Sequence, residues 1–222
     1  MEGCFCKDNI FHYFCLMRKK EVILVGAGGH ALSLSEFSSH LIKGYIAMEE
    51  VPGLPGSWLG KDEDAPALAQ DALFHMAFVY AGWPVMEKRR KLIEFYDTFG
   101  ARFATLISPT AIITPNAEIG EGSAIMAGAI INRAKLGKNV IVNSGAIVEH
   151  DCTVGSNTFI GPGAVIGGFT SIGCNSFIGL GAKIGNNIKI GDNITVAMGA
   201  VVNKNLTEPG IYHGFPLKRY KI

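Results

Sequence analysis

Residues 136–166 read LGKNVIVNSGAIVEHDCTVGSNTFIGPGAVI, and an aliphatic side chain returns at every sixth position of this stretch. The same step holds for twelve consecutive positions, which are Leu136, Val142, Val148, Val154, Ile160, Ile166, Ile172, Ile178, Ile184, Ile190, Val196 and Val202. A helix would repeat its apolar residues every three to four positions, and a half-buried strand would alternate them. A step of six fits neither and indicates a repeat architecture.

Each six-residue unit carries one large and one small side chain that suit the inside of a narrow coil. The residue two positions before the aliphatic one is usually small, as at Ala146 and Ala164, and a glycine often follows it. This pattern fits a short strand ending at a corner, where glycine relieves backbone crowding. Three units close a triangular coil, and about five such coils stack roughly 4.8 Å apart by parallel pairing. We therefore predict a parallel β-helix over residues 108–205, followed by a tail over 206–222.

An earlier set of aliphatic residues keeps the same spacing but is out of phase with the later set. Ile113, Ile119, Ile125 and Ile131 are six apart, and the step to Leu136 is five. The spacing alone leaves the hand of the coil open, because parallel crossovers in most proteins are right-handed.

The segment before the repeat alternates strand-like and helix-like patterns. The predicted strands are Glu21–Val25, Gly44–Met48 and Met76–Ala81, and the predicted helices cover 31–43, 62–73 and 87–99. Such alternation is typical of a small α/β domain with a parallel sheet. We assign this Rossmann-like domain to residues 17–107. We interpret residues 1–16 as a disordered extension, with a docking or membrane-touching segment as the alternative.

A glycine-rich loop, Gly26-Ala27-Gly28-Gly29-His30, directly follows the first predicted strand. In this position, backbone N–H groups at a helix N-terminus can approach a diphosphate. The loop is shorter than the full dinucleotide fingerprint, so a ligand loop and a plain tight turn both remain open.

Composition limits the classes of partner. Twenty basic and nineteen acidic residues give a net charge of +1, which leaves no electrostatic footprint for nucleic acid. No apolar run approaches the length of a membrane span. Five cysteines lack the spacing of a metal site or a disulfide framework, and their odd number favours a reducing compartment. We expect a cytoplasmic protein without a metal.

The turn Glu149-His150-Asp151 is the candidate catalytic feature. Val148 is predicted to point inward, so His150, two residues later, is expected at a corner and directed outward. A neutral imidazole is a suitable general base near pH 7, and Asp151 can orient it and favour the imidazolium. A solvated turn is the alternative interpretation. Cys152 occupies a small inward position and is expected to be a packing thiol.

Three stretches together resemble one branch of the hexapeptide-repeat superfamily. They are the Gly26–His30 loop, the Ser108-Pro109-Thr110-Ala111 entry and residues 143–152, which read NSGAIVEHDC. That branch holds the nucleotide-amino-sugar N-acetyltransferases and the sialic acid O-acetyltransferases of bacterial surface-glycan synthesis. The resemblance implies a left-handed parallel β-helix, a homotrimer, and acetyl-CoA bound in a groove between neighbouring prisms. It also implies that His150 is the catalytic base and Asp151 the acid that supports it.

The resemblance assigns further roles by position. It implies coenzyme contacts at Phe159, Gly168, Leu180 and Met198. It implies contacts with a nucleotide sugar at Gly28, Gly29, His30, Gly82 and Asn143.

The sequence departs from the family pattern in three places that concern the ligands. Trp83-Pro84 replace the polar turn that is usual after the third strand, near the sugar site. Phe159 stands where a second histidine is usual, and Ala47-Met48 replace paired aspartates that hold the nucleotide base.

Competing functions differ in how well they fit the residues. N-acetylation of a nucleotide-linked amino sugar is the leading hypothesis, and O-acetylation of a sialic acid or another glycan precursor is the alternative. A γ-type carbonic anhydrase needs three zinc-binding histidines, whereas His150 is the only histidine between residues 76 and 212. A scaffold without activity would have no need for the Glu-His-Asp turn and the glycine loop.

Overall fold

The computed structural model describes residues 21–38, 41–79 and 85–220, and its first part is a parallel sheet with helices. The strands are β1 Val22–Val25, β2 Ile42–Ile46, β3 Ser57–Trp58 and β4 Leu73–Met76, in the order β3-β2-β1-β4. The helices are α1 Gly29–Ser38, a 3-10 helix Asp62–Leu68, and α2 Val85–Asp97. All four residues of β1 are buried, which fits its continuous apolar run at the centre of a parallel sheet. The predicted α/β domain is confirmed.

The third predicted strand is wrong by three residues, because β4 begins at Leu73 rather than at Met76. The polar His75 interrupts the apolar pattern that the prediction followed. In the structure His75 is fully buried, and its Nδ1 is 2.9 Å from the carbonyl oxygen of Ala104. The two-residue strand β3 was missed because so short a strand has no periodicity.

From Leu106 onward the chain forms a three-sided prism. Each coil contributes one strand to each of its three parallel sheets. The polar face consists of β7 Glu118–Ile119, β10 Lys135–Leu136, β13 Thr153–Val154, β16 Ser171–Ile172 and β19 Lys189–Ile190. The apolar face consists of β6 Ile112–Ile113, β9 Ile130–Ile131, β12 Ile147–Val148, β15 Val165–Ile166, β18 Lys183–Ile184 and β21 Val201–Val202. The domain face consists of β5 Leu106–Ile107, β8 Ala124–Ile125, β11 Ile141–Val142, β14 Phe159–Ile160, β17 Phe177–Ile178, β20 Ile194–Val196, β22 Gly210–His213 and the antiparallel β23 Lys218–Tyr220.

The sixth-position aliphatic residues form the core of the prism, as predicted. All twelve from Leu136 to Val202 are buried. Paired strands are 18 residues apart, as in Leu136 and Val154, so one coil contains three six-residue units. The small inward positions are buried as well, including Ala146 and Ala164.

The prism extends beyond the predicted range 108–205 at both ends. Leu106 and Ile107 pair with β8 and form the first strand of the domain face. At the other end Gly210–His213 pairs with β20 in parallel register. Ile107 continues the earlier aliphatic set one step back, since it lies six residues before Ile113 and packs against the prism core. The C-terminal strand breaks the six-residue step, because its inward Tyr212 is ten residues after Val202.

The front domain packs on the outer side of the domain face. Val22, Leu24 and Leu34 share one buried apolar cluster with Ile141 and Phe159. The glycine loop and the prism therefore belong to a single packed unit. In the ranges that the structure describes, no helix has the length and apolar character that a membrane span requires.

Candidate active site

His150 lies at the corner between β12 and β13, where the chain turns from the apolar face to the polar face. Val148 is buried and the His150 side chain is 45% exposed, which agrees with the predicted outward direction. Asp151 adopts a left-handed backbone conformation with φ of 59°, a feature that the sharp corner demands.

Asp151 determines which nitrogen of the imidazole carries the proton. Its Oδ2 is 3.0 Å from His150 Nδ1, and its Oδ1 is 3.0 Å from Arg133 Nη2. The hydrogen bond from His150, together with the nearby Arg133, holds the pKa of Asp151 below its usual range. An ionised carboxylate only accepts hydrogen bonds, so His150 Nδ1 is the donor. Nε2 of the neutral ring then carries the lone pair that can take up a proton.

Glu149 is directed away from the ring. Its Oε2 accepts hydrogen bonds from Asn132 Nδ2 at 3.0 Å and from the backbone N–H of His150 at 3.2 Å. Of the two carboxylates that flank His150, only Asp151 contacts the imidazole in this structure.

The imidazole rests on the next coil. An added Cβ on Gly168 would lie 2.8 Å from both Cε1 and Nε2 of His150, so only glycine leaves room for the ring. Phe169 packs edge-on against the ring with centroids 5.0 Å apart, and 59% of Phe169 is exposed. Of the four predicted coenzyme contacts, Gly168 is the one that lies at this corner.

Leu180 and Met198 lie at a different corner, between the domain face and the apolar face. They are 57% and 77% exposed, although both are large apolar side chains. Asn143 occupies the same corner on an earlier coil, and its Oδ1 accepts a hydrogen bond from the N–H of Ser144. The two corners flank the apolar face, so one chain does not bring these residues next to His150.

Phe159, which the resemblance assigns to the coenzyme, lies in the packing between the front domain and the prism. Phe159 points outward from β14, but the front domain covers it and only 5% is exposed. Its ring stacks on Phe177 with centroids 4.8 Å apart. In the usual family pattern a histidine stands here, whereas this chain uses the position for packing between its two parts.

Cys152 is a packing residue, as expected. Its side chain is fully buried, and its Sγ donates a hydrogen bond to the carbonyl of Gly167 at 3.2 Å. Burial raises the pKa of the thiol, which keeps it protonated and poorly nucleophilic.

The glycine loop lies at the carboxyl edge of the front sheet. Gly28 and Gly29 are exposed at the start of α1, and a Cβ added at either would meet nothing within 4 Å. Gly26 donates its N–H to the carbonyl of Ile46 at 2.9 Å, so this loop lies beside the end of β2. Parallel sheets bind ligands at this edge. Gly82, which the resemblance also assigned to the acceptor, lies outside the described residues, as do residues 1–16.

His30 offers its backbone rather than a charged side chain. Its Nε2 is buried, without a partner among the described residues. Burial, together with the nearby His75 and Arg89, lowers the pKa of His30 to about 3, so its ring is neutral. A diphosphate at this loop would therefore be held by N–H groups and by the positive end of α1.

Arg89 joins the front domain to the prism from inside. It is 1% exposed, and its Nη1 donates hydrogen bonds to the carbonyl of Asn139 and to Oδ1 of Asn157. Asn157 in turn donates to the carbonyl of Met86 at 3.1 Å. Burial lowers the pKa of Arg89 to about 9. The guanidinium remains cationic at neutral pH, and its hydrogen bonds anchor α2 of the front domain to the prism.

Two residues near the candidate sites were missed by sequence reasoning. Arg133 holds Asp151 from the preceding coil, and the slip in the repeat before Leu136 was the available signal. Trp58 lies at the carboxyl edge of β3, 39% exposed, and its Nε1 donates to the carbonyl of Ala47 at 3.1 Å. Nothing in the local pattern connects Trp58 with Ala47, because strand pairing brings them together.

Comparison with known proteins agrees with this architecture. Residues 133–168 match the family described as bacterial transferase hexapeptide (six repeats), and residues 169–204 match the hexapeptide repeat of succinyl-transferase. In the described ranges, no group of three or more His, Cys, Asp or Glu side chains is arranged to hold a metal ion.

Several solved structures match nearly the whole chain. PerB from Caulobacter crescentus, solved in complex with CoA and GDP-perosamine, is 30% identical with a TM-score of 0.80, and the match covers 90% of this chain and 97% of PerB. The acetyltransferase domain of PglB from Neisseria gonorrhoeae, in complex with acetyl coenzyme A, is 28% identical with a TM-score of 0.82, covering 91% and 100%. WeeI from Acinetobacter baumannii, 23% identical with a TM-score of 0.76 and covering 90% and 100%, shares the fold.

The repeat, the prism and the identity to PerB over nearly its full length lead to one assignment. The chain belongs to the hexapeptide-repeat acetyltransferases built on a left-handed β-helix, the family that includes the perosamine N-acetyltransferase of Caulobacter crescentus.

Proposed function

We propose that this acetyltransferase transfers the acetyl group of acetyl-CoA to the amine of a nucleotide-linked amino sugar, with His150 as general base. The observation that carries the proposal is the pairing of His150 Nδ1 with Asp151, which leaves Nε2 as the basic nitrogen at an exposed corner. The bound GDP-perosamine of PerB supports an amino-sugar acceptor.

The chemical step follows from this arrangement. The sugar amine attacks the thioester carbonyl carbon, and a C–N bond forms as Nε2 of His150 removes a proton from the nitrogen. The tetrahedral intermediate then collapses, the C–S bond breaks, and the coenzyme leaves as a thiolate that takes the proton back. Asp151 stabilises the transient imidazolium by its charge and keeps Nε2 directed outward. General bases of this kind contribute about 10²–10⁴ to the rate.

The front domain supplies the acceptor site in this proposal. The N–H groups of Gly28, Gly29 and His30 receive the diphosphate, and the exposed indole of Trp58 is available to the nucleobase. The paired aspartates usual in the family are replaced by Ala47 and Met48. Met48 is 76% exposed at this edge, so an apolar and aromatic surface stands where the family has carboxylates.

The coenzyme site requires a second copy of the chain. The corner of His150 and the corner of Asn143, Leu180 and Met198 border the apolar face, whose outward residues include Ile130 and Val165. When copies pair through this face, the corner of Asn143, Leu180 and Met198 in one chain lies beside the His150 corner of another. A homotrimer satisfies this for every copy. Sedimentation that found only monomer at micromolar concentration would contradict this part of the proposal.

The test is acetyl-CoA consumption against a panel of nucleotide-linked amino sugars and free sialic acids. We expect turnover with an amino sugar and a loss of about 10²–10⁴ in kcat for His150→Ala, with the KM for acetyl-CoA little changed. Thr153→Ala, on the polar face, is the control and should behave as wild type. Turnover restricted to sialic acids would favour the O-acetyltransferase alternative, and an active His150→Ala would show that His150 is not the base.

We assign the product to the synthesis of a bacterial surface glycan and the reaction to the cytoplasm. Both assignments rest on the substrates, since acetyl-CoA and nucleotide sugars are cytoplasmic precursors. Detection of the acetylated sugar in a surface glycan only when the gene is present would support them, and an unchanged glycan after its removal would contradict them.

A further inference from the structure

The corner before β10 is one residue shorter than the corners stacked above it. Ile131 and Leu136 are five apart, whereas the corresponding Val148 and Val154 are six apart. Both corners keep a turn residue with a left-handed conformation, with φ of 49° at Arg133 and 59° at Asp151. The shortening therefore removes a position between the strand end and this turn residue.

The missing position is the one beneath His150. Asn132 pairs with Glu149 and Arg133 pairs with Asp151, which leaves no residue of the short corner opposite His150. Each carboxylate that flanks the imidazole therefore has its own partner on the preceding coil, Asn132 for Glu149 and Arg133 for Asp151. The contact of Arg133 with this corner is its hydrogen bond to Asp151.

Asp151 consequently stands between two donors, each on its own oxygen. His150 Nδ1 contacts Oδ2 and Arg133 Nη2 contacts Oδ1, both at 3.0 Å. A carboxylate held on both oxygens has a fixed orientation, and the charge it offers to an imidazolium is reduced by the cation on its other side.

We propose that Arg133 is a positioning residue for the acetyl transfer, one that holds Asp151 on His150 and moderates how strongly Asp151 stabilises the imidazolium. This inference rests on the proposed role of His150 as base. It does not depend on which amino sugar is the acceptor. The side chain of Arg133 contacts Asp151, which in turn contacts the imidazole, so its effect passes through Asp151.

The sign of the pH effect follows from the charges near the ring. In the described residues these are the carboxylates of Asp151 and Glu149 and the guanidinium of Arg133. Removing Arg133 leaves the negative charge of Asp151 uncompensated, which favours the protonated ring. More alkaline solution is then needed to free Nε2, so the acid limb of the kcat/KM profile moves to higher pH. Arg133 is 59% exposed at its side chain, so salt screens the effect.

The experiment compares pH profiles of kcat/KM for wild type, Arg133→Met and Arg133→Lys at low and high salt. For Arg133→Met we expect an upward movement of the acid limb by about 0.2–0.7 pH unit at low salt, shrinking in concentrated salt. The plateau should also fall, by roughly 2- to 10-fold, through loss of orientation. Arg133→Lys keeps the charge and should restore the position of the acid limb.

Lys135→Met is the matched control. Lys135 forms an exposed ion pair with Glu118 at 2.7 Å on the polar face, two residues after Arg133, so this variant loses the same charge nearby. An acid limb that stays in place for Arg133→Met, or moves equally for Lys135→Met, would overturn the inference. Failure of the proposed function would appear separately, as wild-type turnover that survives His150→Ala.

Discussion

His150 depends on the absence of a side chain at Gly168, because its ring occupies the space that a Cβ there would need. The approach is so close that any substituent must move either the ring or the backbone of the next coil. The backbone is held by ladder hydrogen bonds, such as that from the N–H of Asn187 to the carbonyl of Gly168 at 2.9 Å. The ring, which is partly exposed, moves more readily.

Gly168→Ala is therefore expected to reduce kcat by displacing the imidazole, with little loss of stability. Gly185→Ala is the matched control, since Gly185 lies on the same set of corners and its added Cβ would be 3.4 Å from the nearest atom, an ordinary contact. Steady-state kinetics and chemical denaturation of both variants provide the measurement. Equal activity of the two variants would show that the ring position at Gly168 is unimportant for catalysis.

At the scale of elements, the outward residues of each prism face decide what that face does. The polar face carries Lys135 and Lys189 to solvent. The apolar face carries exposed and half-buried aliphatics, with the exposed Lys183 on β18 among them. The domain face is covered by the front domain, where Phe159 packs into the shared cluster. Short strands of the same geometry thus give three different surfaces, because the outward side chains differ from one face to the next.

Phe159→Ala tests whether Phe159 packs the two domains together or contacts the coenzyme. A buried phenylalanine truncated to alanine costs about 3–5 kcal/mol, so we expect a large loss in the free energy of unfolding. The KM for acetyl-CoA should change little at temperatures where the variant is folded. Phe169→Ala removes a ring that is 59% exposed and should be much less destabilising. A stable Phe159→Ala variant with a raised KM would restore the coenzyme role.

At the scale of the whole molecule, the joint between the two domains contains basic groups that are kept out of water. Burial lowers the pKa of His75 to about 4, with Arg89 adding to the effect, and the hydrogen bond to Ala104 acting against it. His30 is lowered further, to about 3. Both histidines take up protons more readily in the unfolded chain, where their pKa is near 6.5.

Acid should therefore weaken the fold. The contribution of these neutral histidines is complete above pH 6.5 and is lost as the pH falls from 6.5 toward 4. For the fully buried His75 the loss amounts to about 2 kcal/mol between pH 6.5 and pH 5. Urea denaturation at both pH values measures it. His75→Asn keeps a donor for Ala104 but does not titrate, so the pH dependence should become shallower, and an unchanged dependence would contradict this cause.

The six-residue repeat by itself determined the prism, its coil size and its buried residues. Each unit supplies its own large and small inward side chains, and every coil requires the same set. It also placed His150 and Asp151 at an outward corner. The strand ends at the inward Val148, and the chain turns within the next two residues. Tertiary structure decided the rest. The front domain covers β14 and makes Phe159 a packing residue. Stacked coils bring Arg133 to Asp151, 18 positions later in the chain, and strand pairing brings Trp58 to Ala47. These contacts depend on residues far apart in the chain, which no local pattern records.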